Sequence, residues 1–364
     1  MKLFPFILLI WLVSCEQIKE SESINVNYNR IVENEYATTF QIIEHDDYAE
    51  LIVLDPISGK VDYAYVIGDT GFQSKKLEDS IVCTNPMRII TLSSTHIGML
   101  NKLNLSNRIV GVSNSNFFCN PLLMNKEIIS TGDYLTENLE KIIEIKPDLI
   151  ITSGFENPDQ VSEKLKSFGI KVIVNYDWKE THPLGRAEWI KVFGLLFNKQ
   201  EEANELFNKI KKSYLTVKDQ ISTLDCQKTV MVGTFYNDIF NSPAGESYMA
   251  HLLKDLNANY CYANSKGVGS LNINLEEFLI NNIETDIWIN VAASNKNEIF
   301  KMNARFALLK AFQTSQLYSY SWNLNCYWEN SALEPHVLLL DLAKIIYPEE
   351  FDSNDLVYYQ KLND

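Results

Sequence analysis

The chain has 364 residues, of which 46% are hydrophobic and 12% aromatic, and its 32 Lys and Arg against 47 Asp and Glu give a formal net charge of -15. That length is too much for one core and suits two domains of ordinary size plus an appendage. The acidic excess leaves nothing to neutralise phosphates in a row, which excludes nucleic acid as a partner and favours solubility and basic partners.

Met1-Lys2, the apolar stretch Leu3 to Val13 and then Ser14-Cys15 precede an abruptly polar run, Glu16-Gln17-Ile18-Lys19-Glu20. A positive start, a short apolar run and a small-residue end make an export signal, too short to span a bilayer as a stable helix. Leu12-Val13-Ser14-Cys15 resembles the bacterial lipobox, so residues 1–15 are expected to be a lipoprotein signal peptide that leaves lipid on Cys15. Several acyl chains hold stably, because each buried methylene contributes roughly 0.8 kcal/mol. No later segment is long and apolar enough to cross a membrane. The expected location is the cell envelope outside the cytoplasmic membrane, with residues 16–36 as a polar tether.

From residue 37 to 84, short β-type runs (Phe40 to Ile43, Ala49 to Leu54, Asp62 to Ile67) alternate with His45-Asp46-Asp47 and Pro56-Ile57-Ser58-Gly59, the pattern of a small meander. Residues 85–182 then alternate strand and helix patterns: the strands Met87 to Leu92, Arg108 to Val112, Leu149 to Thr152 and Lys171 to Val174, with helices from Ser93-Ser94-Thr95, over Leu139 to Ile145 and over Gln160 to Phe168. Such alternation predicts a parallel sheet with helices on both faces. Residues 183–221 carry no strand pattern, and the spacing of Trp189, Val192, Phe193, Leu196 and Phe197, then Ala203, Leu206, Phe207 and Ile210, predicts one long helix, with an interruption admitted near Asn198-Lys199. Strand and helix alternation resumes over residues 222–364, with strands Thr229 to Thr234, Asp286 to Val291 and Leu317 to Tyr320 and a closing helix Leu333 to Ile346 before Pro348.

A weak repeat underlies this order. Asn138-Leu139-Glu140-Lys141-Ile142-Ile143 before Pro147-Asp148-Leu149-Ile150-Ile151 is echoed by Asn274-Leu275-Glu276-Glu277-Phe278-Leu279 before Asp286-Ile287-Trp288-Ile289. Two lobes of similar build are expected on either side of the long helix. Cys83, Cys119, Cys226, Cys261 and Cys326 form no CxxC pair, which excludes a zinc knuckle or thioredoxin-like site; an odd number leaves at least one thiol free, and the pairing stays open.

Arg88 to Leu92, Gly132 to Glu140 and Lys146 to Ile151, followed by Gly245 to Tyr248, Leu252 to Leu256, Asn274-Leu275-Glu276, Tyr327-Trp328-Glu329, Pro335 and Tyr347-Pro348-Glu349, resemble together the ABC-importer binding proteins for ferric siderophores, cobalamin and haem. The resemblance covers about residue 85 to 351. It implies two Rossmann-like α/β lobes joined by a rigid helix, here with the β appendage in front, and a monomeric, non-catalytic receptor with its ligand in the interlobe cleft. Glu140 and Glu276, with Glu277 as an alternative, stand where that family presents one carboxylate per lobe to arginines of the permease dimer.

Cleft loops belong at the C-terminal ends of the strands. The ligand-facing residues expected there are Ser94, Thr95, His96, Phe117, Phe155, Tyr236, Phe240, Tyr248, Trp322 and Trp328, whose aromatic rings would make flat walls for a metal chelate containing iron or cobalt. Few arginines lie near these loops, and Arg186 is placed on the linking helix, which favours a neutral or weakly charged ligand such as a cobamide over an anionic siderophore. Lipid apart, no cofactor is expected. The five histidines, His45, His96, His182, His251 and His336, form no HxH or HxxxH pair, so no bare-metal site is expected, although His96 could reach the ligand as an axial donor. A hydrolase built on Ser93 or Ser94 with His96 fails because residues so close at a helix start do not face each other and no GxSxG elbow is present. A sensing or scavenging receptor without transport is the remaining alternative.

Overall fold

A computed structural model describes residues 30–69, 81–114, 119–124, 128–131, 139–154, 164–165, 167–321, 324–352 and 355–363. Cys15, Phe117, Phe155 and Trp322 lie outside the described residues. No helix among those described is long and apolar enough to cross a membrane.

The N-terminal sheet runs in chain order: β1 (Arg30–Val32), β2 (Phe40–Glu44), β3 (Tyr48–Leu54) and β4 (Val61–Gly68) as an antiparallel meander, with β5 (Ile81–Cys83) parallel to β4. Period-two alternation in β3 buries Ala49, Leu51 and Val53 on one face. That face does not make a separate core, since Phe40 packs its ring 4.7 Å from Trp189. Leu51, Leu100, Trp189, Phe207, Leu252, Leu342 and Tyr359 belong to one continuous apolar cluster running from this sheet through both lobes.

Two buried carboxylates fasten the sheet to the linker. Glu188 accepts from the backbone N–H groups of Glu35, Tyr36 and Ala37, the last two at 2.8 Å. Glu180 accepts from the N–H groups of Thr38 and Thr39, at 2.9 and 3.0 Å, and from the indole N–H of Trp189.

In the N-terminal lobe β6 (Ile89–Thr91), β7 (Ile109–Val112), β8 (Ile129–Ser130), β9 (Leu149–Thr152) and β10 (Lys171–Val174) form an all-parallel sheet in the order β10-β9-β6-β7-β8. Its central strands are buried throughout, as continuous apolar runs covered on both faces require. The C-terminal lobe repeats the plan with β11 (Thr229–Val232), β14 (Asn259–Tyr260), β16 (Ile287–Ile289) and β17 (Leu317–Tyr320) parallel, closed by the antiparallel β18 (Tyr359–Lys361). A small antiparallel sheet, β12 (Thr234–Tyr236), β13 (Ile239–Pro243) and β15 (Ser270–Asn274), sits beside it.

The linker is broken near Asn198-Lys199, where an interruption was admitted, and so departs from one continuous helix over 183–221. It is three helices, Pro183–Glu188, Ile190–Leu196 and Gln200–Ile221, and the last two fold back on each other. Asn198 takes a left-handed φ of 54°, which ends the helix before it, and a Cβ on Gly194 would stand 2.6 Å from that of Ala203, so only glycine permits this close approach. The 22-residue member spans about 33 Å at 1.5 Å per residue.

The lobes meet where the helix Ser94–Lys102 packs on the helix Leu324–Asn330, so tightly that a Cβ on Gly98 would fall 1.8 Å from the Glu329 carbonyl oxygen. Beside this contact a Cys119–Cys326 disulfide joins the lobes, and the Glu329 carboxylate accepts from the Cys119 and Asn120 N–H groups at 2.8 and 3.2 Å. The pairing left open by the sequence is therefore Cys119 with Cys326, while Cys83, Cys226 and Cys261 are free thiols.

Candidate functional site at the lobe junction

The C-terminal ends of both parallel sheets face this junction, the place where open α/β sheets bind ligands. From the N-terminal lobe, the turn after β6 supplies Ser93, Ser94 and Thr95. The Thr95 hydroxyl lies 3.0 Å from that of Ser93 and donates to Asp177 at 3.3 Å. Asp177 follows β10, held by its own N–H donating to the Asn175 side chain at 2.7 Å. Its other oxygen accepts from Arg186 Nη2 at 3.1 Å, with both side chains shut off from solvent.

From the C-terminal lobe, Tyr248 opens its helix behind the Ser247 cap and lays its ring 4.1 Å under the Arg186 guanidinium, a cation–π contact that holds the cation across the junction. Tyr320, at the end of β17, stands 4.6 Å from Tyr327, 5.8 Å from Trp328 and 5.8 Å from Tyr359, ring centre to ring centre. Burial raises the Tyr320 and Tyr327 phenols above their ordinary range, so both stay protonated and able to donate. Among the described residues Arg186 Nε and Asn290 Oδ1 are buried polar atoms without hydrogen-bond partners. The floor thus combines an internally neutralised ion pair, phenols and aromatic faces. Of these groups Asp177, Arg186 and Tyr327 are buried, and Trp328 is the exposed ring.

The residues expected at the cleft distribute unequally. Ser94 and Thr95 lie at the junction, Tyr248 contacts Arg186, and Trp328, 40% exposed, is the most open ring of the tyrosine cluster. His96 is fully buried with its ring 6.1 Å from Phe193, and burial pulls its imidazole down to about 4, so it is a neutral core residue and not an axial donor reaching into the cleft. Phe240 is likewise core, 4.4 Å from the Phe278 ring in a cluster with Phe235, Trp288 and Phe306, because β13 turns it inward. Tyr236, 73% exposed, sits at the tip of the β12–β13 hairpin, where Asn237 and Asp238 take φ of 50° and 60°, as a two-residue turn requires.

Asp177, Arg186, Asn290, Tyr320 and Tyr327 were not expected there. Arg186 does lie in the linker, but in its short buried first helix, from which it reaches Asp177 and Tyr248. A lone cation within Pro183-Leu184-Gly185-Arg186-Ala187 was the signal available, since a charge in a buried run requires a partner.

Glu140 and Glu276 are both exposed in the first turns of their helices, Leu139–Ile145 and Leu275–Asn282. Glu276 pairs with Arg305 at 3.2 Å, and Glu277 donates its N–H to the Asn274 cap at 2.9 Å.

The model of a periplasmic binding protein family matches residues 89–322. An uncharacterized lipoprotein of Methanocaldococcus jannaschii is 28% identical over 90% of this chain and 85% of its own length. An uncharacterized ABC transporter substrate-binding lipoprotein of Bacillus subtilis is 21% identical over 52% of this chain and 60% of its own. Two solved Vibrio cholerae proteins share the fold: a periplasmic haem-binding protein (TM-score 0.58, 15% identity, 72% of this chain and 99% of that one) and a periplasmic vitamin B12-binding protein (0.54, 18%, 72% and 99%).

Proposed function

The chain belongs to the periplasmic binding protein family, the substrate-binding components of ABC importers for siderophores, haem and vitamin B12, and on that premise we propose that it is a lipid-anchored receptor for a metal chelate. It captures a cobalamin-type corrinoid or a ferric siderophore, with haem third, and delivers it to the permease dimer. The observation that carries this reading is the lobe junction itself, where Tyr248 lies on an Arg186 already neutralised by Asp177 and Tyr320, Tyr327 and Trp328 form an aromatic cluster. A floor of flat apolar area without net charge favours a neutral or weakly charged chelate over a strongly anionic one. Anchoring through Cys15 outside the cytoplasmic membrane is supported by the lipobox-like segment and by relatives named as lipoproteins.

The test is quenching of tryptophan and tyrosine fluorescence by cobalamin, haem and several ferric siderophores, with free tryptophan as control for absorption by the ligand. Saturable submicromolar binding of one of them, weakened at least tenfold in Trp328→Ala, is expected. Silence across the panel would remove the metal chelate from the reading.

A further inference from the structure

A concavity of about 1160 Å³ lies between the Pro56-Ile57 turn of the N-terminal sheet and the C-terminal lobe, with Thr181, Ser247, His251 and Lys254 in its lining. At its His251 wall three ligand-type side chains converge from two distant parts of the chain. One donor atom each from His182, His251 and Asp255 lies within 4.8 Å of the others. His251 and Asp255 are one turn apart on the helix Tyr248–Asp255, and His182, which precedes the helix Pro183–Glu188, brings its ring centre to 4.3 Å from that of His251.

We propose that His182, His251 and Asp255 bind a single divalent transition-metal ion of the zinc, nickel or copper type, with a coordination position left open toward the cavity. Two imidazoles and one carboxylate suit these borderline cations and not calcium or magnesium, which take oxygen ligands. Asp255 is oriented from behind by the Tyr214 hydroxyl, which donates to Oδ2 at 2.6 Å, as outer-shell partners of metal ligands do.

Two contacts oppose loading and set its affinity. Lys218 Nζ sits 2.8 Å from Asp255 Oδ1, on a partly exposed side chain free to swing to solvent. His182 Nδ1 accepts from the Leu184 N–H at 2.9 Å, so the free ring carries its proton on Nε2. A metal on either nitrogen opens that cap, by taking Nδ1 directly or by moving the proton there. Metal loading is therefore coupled to the first turn of the helix that carries Arg186, without depending on which ligand the cleft takes.

The test uses untagged protein stripped with a chelator and then titrated with Co²⁺, followed by its visible d–d absorption, and with Zn²⁺ by calorimetry. One equivalent should bind, at least tenfold more weakly in His251→Ala and in His251→Gln, each checked for folding by circular dichroism. Lys218→Ala should bind several-fold more tightly, because it removes the competitor for Asp255; an adventitious surface site would not respond. Absence of saturable binding, or binding unchanged in both His251 variants, would overturn the proposal.

Discussion

Arg186 donates from Nη2 to Asp177 Oδ2 at 3.1 Å in a place that water does not reach, and Thr95 and Tyr248 complete its surroundings from the two lobes. Removing one partner of a buried pair strands the other as an uncompensated charge, which costs about 3–5 kcal/mol. Arg186→Met should lower stability to urea by that order, and Asp177→Asn on the same background should recover part of it. A double variant no more stable than Arg186→Met would mean that Asp177 is compensated by other groups.

The Cys119–Cys326 bond closes a sequence separation of 207 residues across the lobes. A loop of that length is worth about 5 kcal/mol on the chain-entropy view. Reductant, or Cys326→Ser, should lower the melting temperature by several degrees, and the two should not add. Peptide mapping without reductant should recover the Cys119 and Cys326 peptides as one species; melting indifferent to reductant would show that the bond contributes little.

Acid should weaken the fold through His96. Its folded-state value of about 4, depressed by burial from an ordinary 6.5, means that the unfolded chain takes up a proton well before the native one. That contribution is fully present above pH 6.5 and is lost as pH falls toward 4, by about 3 kcal/mol in all. Comparing unfolding at pH 7 and pH 4.5 in the native protein and in His96→Gln checks this: the variant should show the smaller pH dependence.

Glu140 and Glu276 stand exposed on the first turns of the two helices that the sequence repeat relates. Replacing both with alanine should leave ligand affinity within about twofold while abolishing uptake in cells carrying the importer. Lost binding in that double variant would move these residues out of the permease-docking role. Docking through Glu276 also requires it to exchange Arg305 for a permease arginine, an exposed pair worth less than about 1 kcal/mol and so easily surrendered.

Much of the fold was legible because its signals are local. The alternation in Ala49 to Leu54 and the unbroken apolar runs of Ile89 to Leu92 and Leu149 to Thr152 describe their own burial. The break near Asn198-Lys199 was admitted in the linker, but the fold-back was not foreseen, because apolar spacing continues through the break and the reversal rests on the left-handed Asn198 and the contact at Gly194. Phe240 was misplaced because strand direction, not proximity to a loop, decides where a ring points. His96 and the convergence of His182 with His251 depend on segments dozens of residues apart, and spacing rules see only neighbours.

The carboxylates of Glu180 and Glu188 bear on how this protein can be cut. Together they accept from five consecutive backbone N–H groups, Glu35 to Thr39. An expression boundary drawn at residue 85, where the α/β pattern begins, would take all five of these donors away, leaving Glu180 with the Trp189 indole and Glu188 with Lys191, and would uncover the ring of Trp189. The smallest independently folding unit therefore starts before Glu35, and the N-terminal sheet is inseparable from the receptor it precedes in sequence.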